Sequence, residues 1–313
     1  MPFVPVPQAF KSSVKEVVIG TGESAVALGG ENVLPLYGFD APIKNRPKVG
    51  IEISDLGPDR AIPGLAEFYE GARTPAELAA RACGAAGADF VSLWLEGADP
   101  NGEDRDPAEC ARICAEVAAA SPLPLVVQGC GNPDKDARLF EKIAEALQGS
   151  NALLMSAKEE NYKGIAVAAV TAYGQKIAAE SSVDINLAKQ LNVLISQLGI
   201  AGENTVMHLG ASAAGYGFEY IASTTDRVRL AALQQNDAAL QMPVITPIGA
   251  DAWSVKESAA PEEDYPEWGP AERRGIDMEI CTASAMIAAG ANAVILRHPK
   301  SVAAVAALIA ELV

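Results

Sequence analysis

The sequence predicts an α/β fold, a (β/α)8 TIM barrel with an N-terminal β-hairpin extension. Eight short apolar runs, each followed by a helical stretch, share residues 48–313. The runs lack polar alternation, the mark of parallel strands covered on both faces. Helix starts recur as Thr-Pro, Asp-Pro, Asn-Pro, Asp or Ser, while Gly87, Gly149, Gly199 and Gly290 mark helix ends. Eight parallel strands can close and leave no edge, which favours the barrel over a doubly wound open sheet. The open sheet would also want a Gly-x-Gly-x-x-Gly after its first strand, and none stands there.

Taken in order, residues 1–47 form an extension outside the repeat and residues 48–313 the barrel. Val14–Ile19 and Ala25–Leu28 flank Gly20-Thr21-Gly22-Glu23, a hairpin pattern. Such a hairpin caps the lower end of a barrel; the alternative is a subunit contact. The start, MPFVPVPQAF, has three prolines and no basic n-region, so it does not read as a signal peptide. The first strand is Val49–Ile53, and Thr74-Pro75 opens a helix to about Ala86. The second is Asp89–Leu95, with a helix from Asp106-Pro107 to Ala120. The third is the apolar run Leu123–Val127 of PLPLVVQGCGNP; its glycines allow a tight exit, and Asn132-Pro133 caps a helix running to Leu147. Ala152–Ser156 precedes an alanine-rich helix near Tyr162–Tyr173, and Lys176–Ala179 a helix capped by Asp184 and ending near Leu198. Thr205–Leu209 leads to a helix over Phe218–Leu240. Pro243–Thr246 is followed by a long loop, Gly249–Pro270, and a helix near Ala271–Ala289. Ala293–Leu296 closes the set, and Ser301 is expected to cap the last helix, to Leu312.

Half the 313 residues are hydrophobic and 20% are charged, enough apolar material for a large core and against global disorder. The net charge of −16 excludes nucleic acid and anionic membrane as partners, since both repel it. No apolar run reaches the roughly 18 residues of a transmembrane span. Five scattered cysteines fit reduced thiols in a cytoplasm rather than a disulfide framework. Cys110 and Cys114 stand one helical turn apart, but a metal site needs further ligands and the chain has two histidines. No resident metal is expected.

In a barrel the chemistry sits in the loops after the strands. Those exits carry Glu52, Ser54, Asp55, Glu96, Asn101, Gln128, Cys130, Asn132, Ser156, Lys158, Asn161, Glu180, Ser181, Ser182, Asn186, His208, Tyr216, Thr246, Arg297 and His298. Neutral hydrogen-bonding groups dominate, with no recognisable catalytic constellation. Lys158 as a Schiff-base lysine needs desolvation, yet it stands in the solvated run Lys158-Glu159-Glu160. Cys130 lacks a sequence neighbour to activate it, His208 has apolar neighbours, and Arg297 suits a structural salt bridge better than a phosphate site. Two loops stand out. Gly210–Phe218 runs through small residues into Gly215-Tyr216-Gly217-Phe218, which allows close approach of a flat ligand or partner. The long loop carries Trp253, Tyr265 and Trp268, and exposed tryptophans favour a protein interface.

The segments QGCGN (128–132), SAKEENYKGIA (156–166), DINLAKQLN (184–192), GYGFEY (215–220), QMPVITP (241–247), EWGPAERRG (267–275) and AVILRHP (293–299), with the helix GARTPAELAARAC (71–83), carry a resemblance through nearly the whole chain. They resemble the small subunit of corrinoid iron–sulfur proteins, also called the delta subunit of acetyl-CoA decarbonylase/synthase complexes. The resemblance implies a dihydropteroate synthase-like barrel paired with a large subunit that carries the corrinoid and a [4Fe-4S] cluster. It implies that the barrel's carboxyl face covers the corrinoid (a cobalamin). The heterodimer then carries a methyl group from methyltetrahydropterin, through a methyltransferase, to acetyl-CoA synthase in the Wood–Ljungdahl pathway of carbon fixation. The chain is then an assisting subunit without catalytic residues of its own. The residues expected at the corrinoid are Gln128, Gly129, Cys130, Asn132, Lys158, Asn186, Gly215, Tyr216, Gly217, Phe218 and Thr246. The alternatives are a pterin-dependent methyltransferase barrel acting on its own and an aldolase using Lys158. Pterin-binding barrels grip with Asp and Asn at strand ends, where this chain has Gln128, Asn132, His208 and Thr246, a departure that counts against the first alternative.

Overall fold

The computed structural model describes Val4 and residues 6–313. The prolyl start read above as no signal peptide therefore lies partly outside the described residues. Strands β1 (Val17–Ile19) and β2 (Val26–Leu28) pair antiparallel, Val17 opposite Leu28 and Ile19 opposite Val26. Val17, Ile19, Val26 and Leu28 are buried while Val18 is exposed, as period-two alternation requires. The buried four pack into the barrel's interior against Phe90, Val126 and Leu153. Backbone bonds hold them there: Gly20 N donates to Asn151 O at 2.8 Å, and Asn151 Nδ2 donates back to Val18 O at 2.8 Å. Asn151 lies at the entry to a barrel strand, so the hairpin plugs the amino-terminal end of the barrel, as the cap reading expected.

From there strand and helix alternate. β3 (Lys48–Ser54) leads to α1 (Pro63–Phe68) and α2 (Pro75–Ala82), β4 (Phe90–Trp94) to α3 (Pro107–Ala120), and β5 (Leu125–Gln128) to α4 (Pro133–Ala146). β6 (Leu153–Ala157) leads to α5 (Tyr162–Ala166), β7 (Lys176–Glu180) to α6 (Ile185–Gln197), and β8 (Thr205–His208) to α7 (Phe218–Leu233). After β9 (Ile245–Pro247) come α8 (Gly249–Ser254), α9 (Lys256–Ala259) and α10 (Ala271–Ala289); β10 (Ala293–Leu296) and α11 (Pro299–Leu312) finish the chain. The eight strands β3 to β10 are all parallel, in the order β8-β7-β6-β5-β4-β3-β10-β9. An isolated parallel bridge between Met207 of β8 and Val244, the residue before β9, with Met207 N donating to Pro243 O at 2.7 Å, closes the barrel.

Two apolar layers follow from strand alternation. Val49, Ile51, Val91, Leu93, Val127, Leu154 and Val294 face the helices. Phe90, Val126, Leu153, Ala178, Val206, Ile245 and Ile295 face inward. Gly50 is needed there, because a Cβ on it would meet the Phe90 ring at 2.1 Å.

Several local expectations hold. Thr74 forms a capping box with Glu77, Asn132 Oδ1 accepts from Lys135 N at 3.0 Å, and Asp184 caps α6 through the amides of Asn186 and Leu187. Others are corrected. Helix α1, entered at Ile62 without a polar cap, was not expected. The alanine-rich helix turns π-helical over Val167–Ala172. The helix from Phe218 stops at Leu233, and Asp237 caps a separate 3-10 turn, Ala238–Leu240. The stretch 249–270 is not a plain loop, for it contains α8, α9 and a 3-10 turn, Pro266–Trp268. Trp253 is buried rather than exposed, stacked on His298 and pressed so close to Gly275 that a Cβ there would meet its ring at 2.2 Å. The cap of α11 is His298, whose Nδ1 accepts from Lys300 N at 3.2 Å; Ser301 is buried within the first turn.

Candidate functional site at the barrel mouth

Inward side chains change from apolar to polar toward the strands' carboxyl ends. Two residues past the inward Phe90, Val126, Ala178, Val206 and Ile295 stand Ser92, Gln128, Glu180, His208 and Arg297, and Glu52 follows Gly50 in the same way. Arg297 Nη2 and Nε meet Glu52 Oε1 at 2.8 and 2.9 Å. Gln128 Nε2 donates to Glu52 Oε2 at 3.1 Å and Ser92 Oγ at 3.0 Å. Arg297 is thus the structural ion pair expected of it, and its guanidinium lies 5.9 Å from the centre of the Trp94 ring.

A second cluster stands opposite. β6 slips register between Met155 and Ala157, and Ser156 lines the mouth with Met155. His208 Nδ1 lies 3.2 Å from Ser156 Oγ and 3.4 Å from Glu180 Oε2, and Lys158 Nζ lies 3.5 Å from Glu180 Oε1. Burial pushes the Glu180 carboxyl upward, but the hydrogen bond from His208, the Lys158 ammonium and the Ser156 hydroxyl outweigh it and hold it at about 2. Lys158 also donates to Gly131 O at 3.3 Å. It is half-buried and paired rather than solvated, and it is not free in an apolar pocket as a Schiff-base lysine would be.

The β5–α4 turn is organised by Asp136. Its carboxylate accepts from Cys130 N at 2.9 Å, Gly131 N at 3.0 Å and Cys130 Sγ at 3.3 Å. Burial, then the Asp136 charge, pushes the Cys130 thiol up to about 11, the reverse of an activated nucleophile. So Cys130 does have an acidic neighbour, six residues on, and it suppresses the thiolate. Gly129 has no room for a side chain, since a Cβ would meet Asp136 Oδ1 at 2.4 Å.

Two cavities open at this face. One of about 90 Å³ is lined by Gln128, Gly129, Gly131, Ser156, Lys158, Glu180, His208 and Pro247. A larger cleft of about 480 Å³ runs outward from Glu52 and Arg297 past Trp94 and Tyr69 to Trp253. The Glu52–Gln128 hydrogen bond links their walls.

Of the residues expected at a cofactor, Gln128, Gly129 and Lys158 meet in the smaller cavity, with Cys130 and Asn132 in the turn beside it. Asn186 is exposed on the first turn of α6 and lines neither cavity. Gly215, Tyr216, Gly217 and Phe218 form the turn into α7, where Tyr216 Oη donates to Glu257 Oε2 at 2.6 Å. Thr246 is a correction. Its neighbours Ile245 and Pro247 face the interior, its partner Val294 faces the helices, and Thr246 is buried on that outer side. Sequence reasoning left Glu180, His208, Ser156 and Asp136 out of the set. The first two were legible from parity, two residues past Ala178 and Val206. Among the described residues, no group of three or more His, Cys, Asp or Glu is placed to hold a metal, and no helix is long and apolar enough to cross a membrane.

Comparison with solved structures bears on the fold. A dihydropteroate synthase from Xanthomonas albilineans superposes with a TM-score of 0.57 at 13% identity, over 95% of this chain and 97% of that one. One from Yersinia pestis superposes at 0.55 and 14%, over 85% and 93%. Sequence relatives are more specific. The acetyl-CoA decarbonylase/synthase complex subunit delta of Archaeoglobus fulgidus is 33% identical over 314 residues, covering 96% of this chain and 69% of that one. The subunit delta of Methanothermobacter thermautotrophicus is 34% identical, covering 96% and 76%. The family model described as CO dehydrogenase/acetyl-CoA synthase delta subunit matches residues 16–308, and with relatives this similar over nearly its whole length the chain belongs to that family.

Proposed function

We propose that this chain is the small subunit of a heterodimeric corrinoid iron–sulfur protein and that its barrel mouth covers a corrinoid held jointly with a large subunit. The observation that carries this proposal is the chemistry of the mouth. It presents amide, hydroxyl, imidazole and backbone groups beside the paired Lys158 and Glu180, and among the described residues His208 Nε2 is buried with no hydrogen-bond partner. A corrin macrocycle is flat and fringed with carboxamides, and such neutral groups match its rim. When bound, the corrinoid supplies the cobalt that carries the methyl group, while the protein binds, orients and keeps water away. Gln128, Ser156, Lys158 and His208 would face the rim, Gly131 leaves space beside them, and the hairpin plug seals the barrel from below. The [4Fe-4S] cluster belongs to the large subunit, and a methyltetrahydropterin methyltransferase and acetyl-CoA synthase are the donor and acceptor partners.

The test is to mix the chain with separately purified large subunit and follow corrinoid absorption through size-exclusion chromatography. We expect a one-to-one complex that retains corrinoid only when both chains are present. No complex, together with saturable methyltetrahydropterin binding by this chain alone, would overturn the proposal in favour of a self-sufficient methyltransferase.

A further inference from the structure

His208 is wired on one side only. Its Nδ1 sits 3.2 Å from Ser156 Oγ and 3.4 Å from Glu180 Oε2, whereas among the described residues Nε2 has no hydrogen-bond partner although the residue is buried, at 8% exposed. An ionised carboxylate can only accept. A bare lone pair on Nδ1 would point at that carboxylate and be repelled, so the network assigns the ring proton to Nδ1, shared between Ser156 Oγ and Glu180. In the neutral ring Nε2 is then an unused, buried acceptor on a residue that lines the mouth cavity.

The group that meets it must bring an N–H or O–H. Lys158 lines the same cavity and disfavours a cationic donor, while Glu180 beside it disfavours a carboxylate. A primary carboxamide satisfies both neighbours, giving N–H to His208 and presenting its carbonyl to the Lys158 ammonium. We infer that His208 Nε2 is a specificity-determining acceptor for a neutral carboxamide on the molecule held in the mouth, with Glu180 and Ser156 as positioning residues that set its tautomer. This rests on the proposed function, in which that molecule is a corrinoid.

Two measurements test it. The chain has two histidines, so ¹⁵N-histidine labelling of the full chain and long-range ¹H–¹⁵N correlation resolves both rings. His208 is expected to carry its proton on Nδ1; a proton on Nε2 instead would overturn the inference. The second uses the heterodimer loaded with dicyanocobinamide, whose side chains are carboxamides, or with monocarboxylic derivatives in which one amide is hydrolysed. His208→Phe is expected to weaken cobinamide retention about tenfold, the size of one lost hydrogen bond. His208→Gln, whose amide oxygen also accepts, is expected to restore most of it, which guards against a mere folding defect. In the wild type one positional isomer of the monocarboxylic acid should bind about tenfold worse than cobinamide, with that difference abolished in His208→Phe. Equal retention by wild type and His208→Phe sinks the inference and leaves the proposed function standing. A wild-type heterodimer that retains no corrinoid sinks both.

Discussion

Asp136 is the residue on which the strand-5 exit depends. It is almost fully buried, and its carboxylate satisfies two backbone amides that have no other acceptor among the described residues. Asp136→Ala strands the half-buried Cys130 N–H, at about 1–3 kcal/mol, whereas water can reach the N–H of the exposed Gly131. The urea midpoint should fall accordingly, and an unchanged midpoint would show that the turn finds other acceptors. The same carboxylate governs Cys130, whose thiol stands at about 11. At pH 8 iodoacetamide should therefore label the exposed Cys281 well before Cys130, as peptide mass spectrometry would show. Rapid labelling of Cys130 would contradict the suppression. Asp136 was not among the expected site residues because its role depends on α4 folding back over the glycine turn. Sequence spacing shows the cap at Asn132, but not which later carboxylate reaches under the loop.

At the scale of elements, the junction of β10, α10 and α11 carries two buried titrating groups of opposite sense. Glu279 is buried on α10 and accepts from the backbone of Arg297 at 2.6 Å and His298 at 3.1 Å. Burial nonetheless raises its carboxyl from 4.5 to about 7. His298 is pushed by burial from 6.5 down to about 4, against the pull of Glu272. A raised carboxyl gives stability that is full below its unfolded value and is lost as pH rises toward 7. A depressed imidazole gives stability that is full above 6.5 and is lost as pH falls toward 4. Each shift corresponds to about 3 kcal/mol over its window. The two slopes oppose each other across the same range, so the pair should contribute little net pH dependence between 4.5 and 6.5. Single substitutions should unmask them. Glu279→Gln is expected to make stability fall as pH drops, whereas His298→Asn, which keeps an α11 cap, should make it fall as pH rises. Denaturation midpoints across that range decide it, and parallel profiles for the two variants would refute the opposition.

At the scale of the molecule, the hairpin is part of the barrel's core. Val17, Ile19, Val26 and Leu28 bury four apolar side chains in the barrel floor. At about 1.5–3 kcal/mol each, they supply about 6–12 kcal/mol, comparable with the whole stability of an ordinary domain. Residues 48–313 produced alone should therefore lose cooperative thermal unfolding in calorimetry. A fragment that melts sharply near the full chain's Tm would show the plug to be dispensable. The plug also leaves the carboxyl mouth as the open end, where the family's partner subunits are proposed to dock.

The sequence by itself determined the alternation of strand and helix and the caps at Thr74, Asp106, Asn132 and Asp184. It also carried the family likeness. Those signals are local, set by hydrophobic period, N-cap chemistry and glycine or proline within a few residues. Only the tertiary structure decided which strand-end residues share the mouth. Glu52 meets Arg297 across 245 positions of chain, and Ser156 meets His208 across 52. The same closure turned Thr246 toward the helices and His208 toward the cavity. Side chains alternate along a strand, so a shift of one residue exchanges the two faces, and the bridge between Met207 and Val244, just before β9, selects between them.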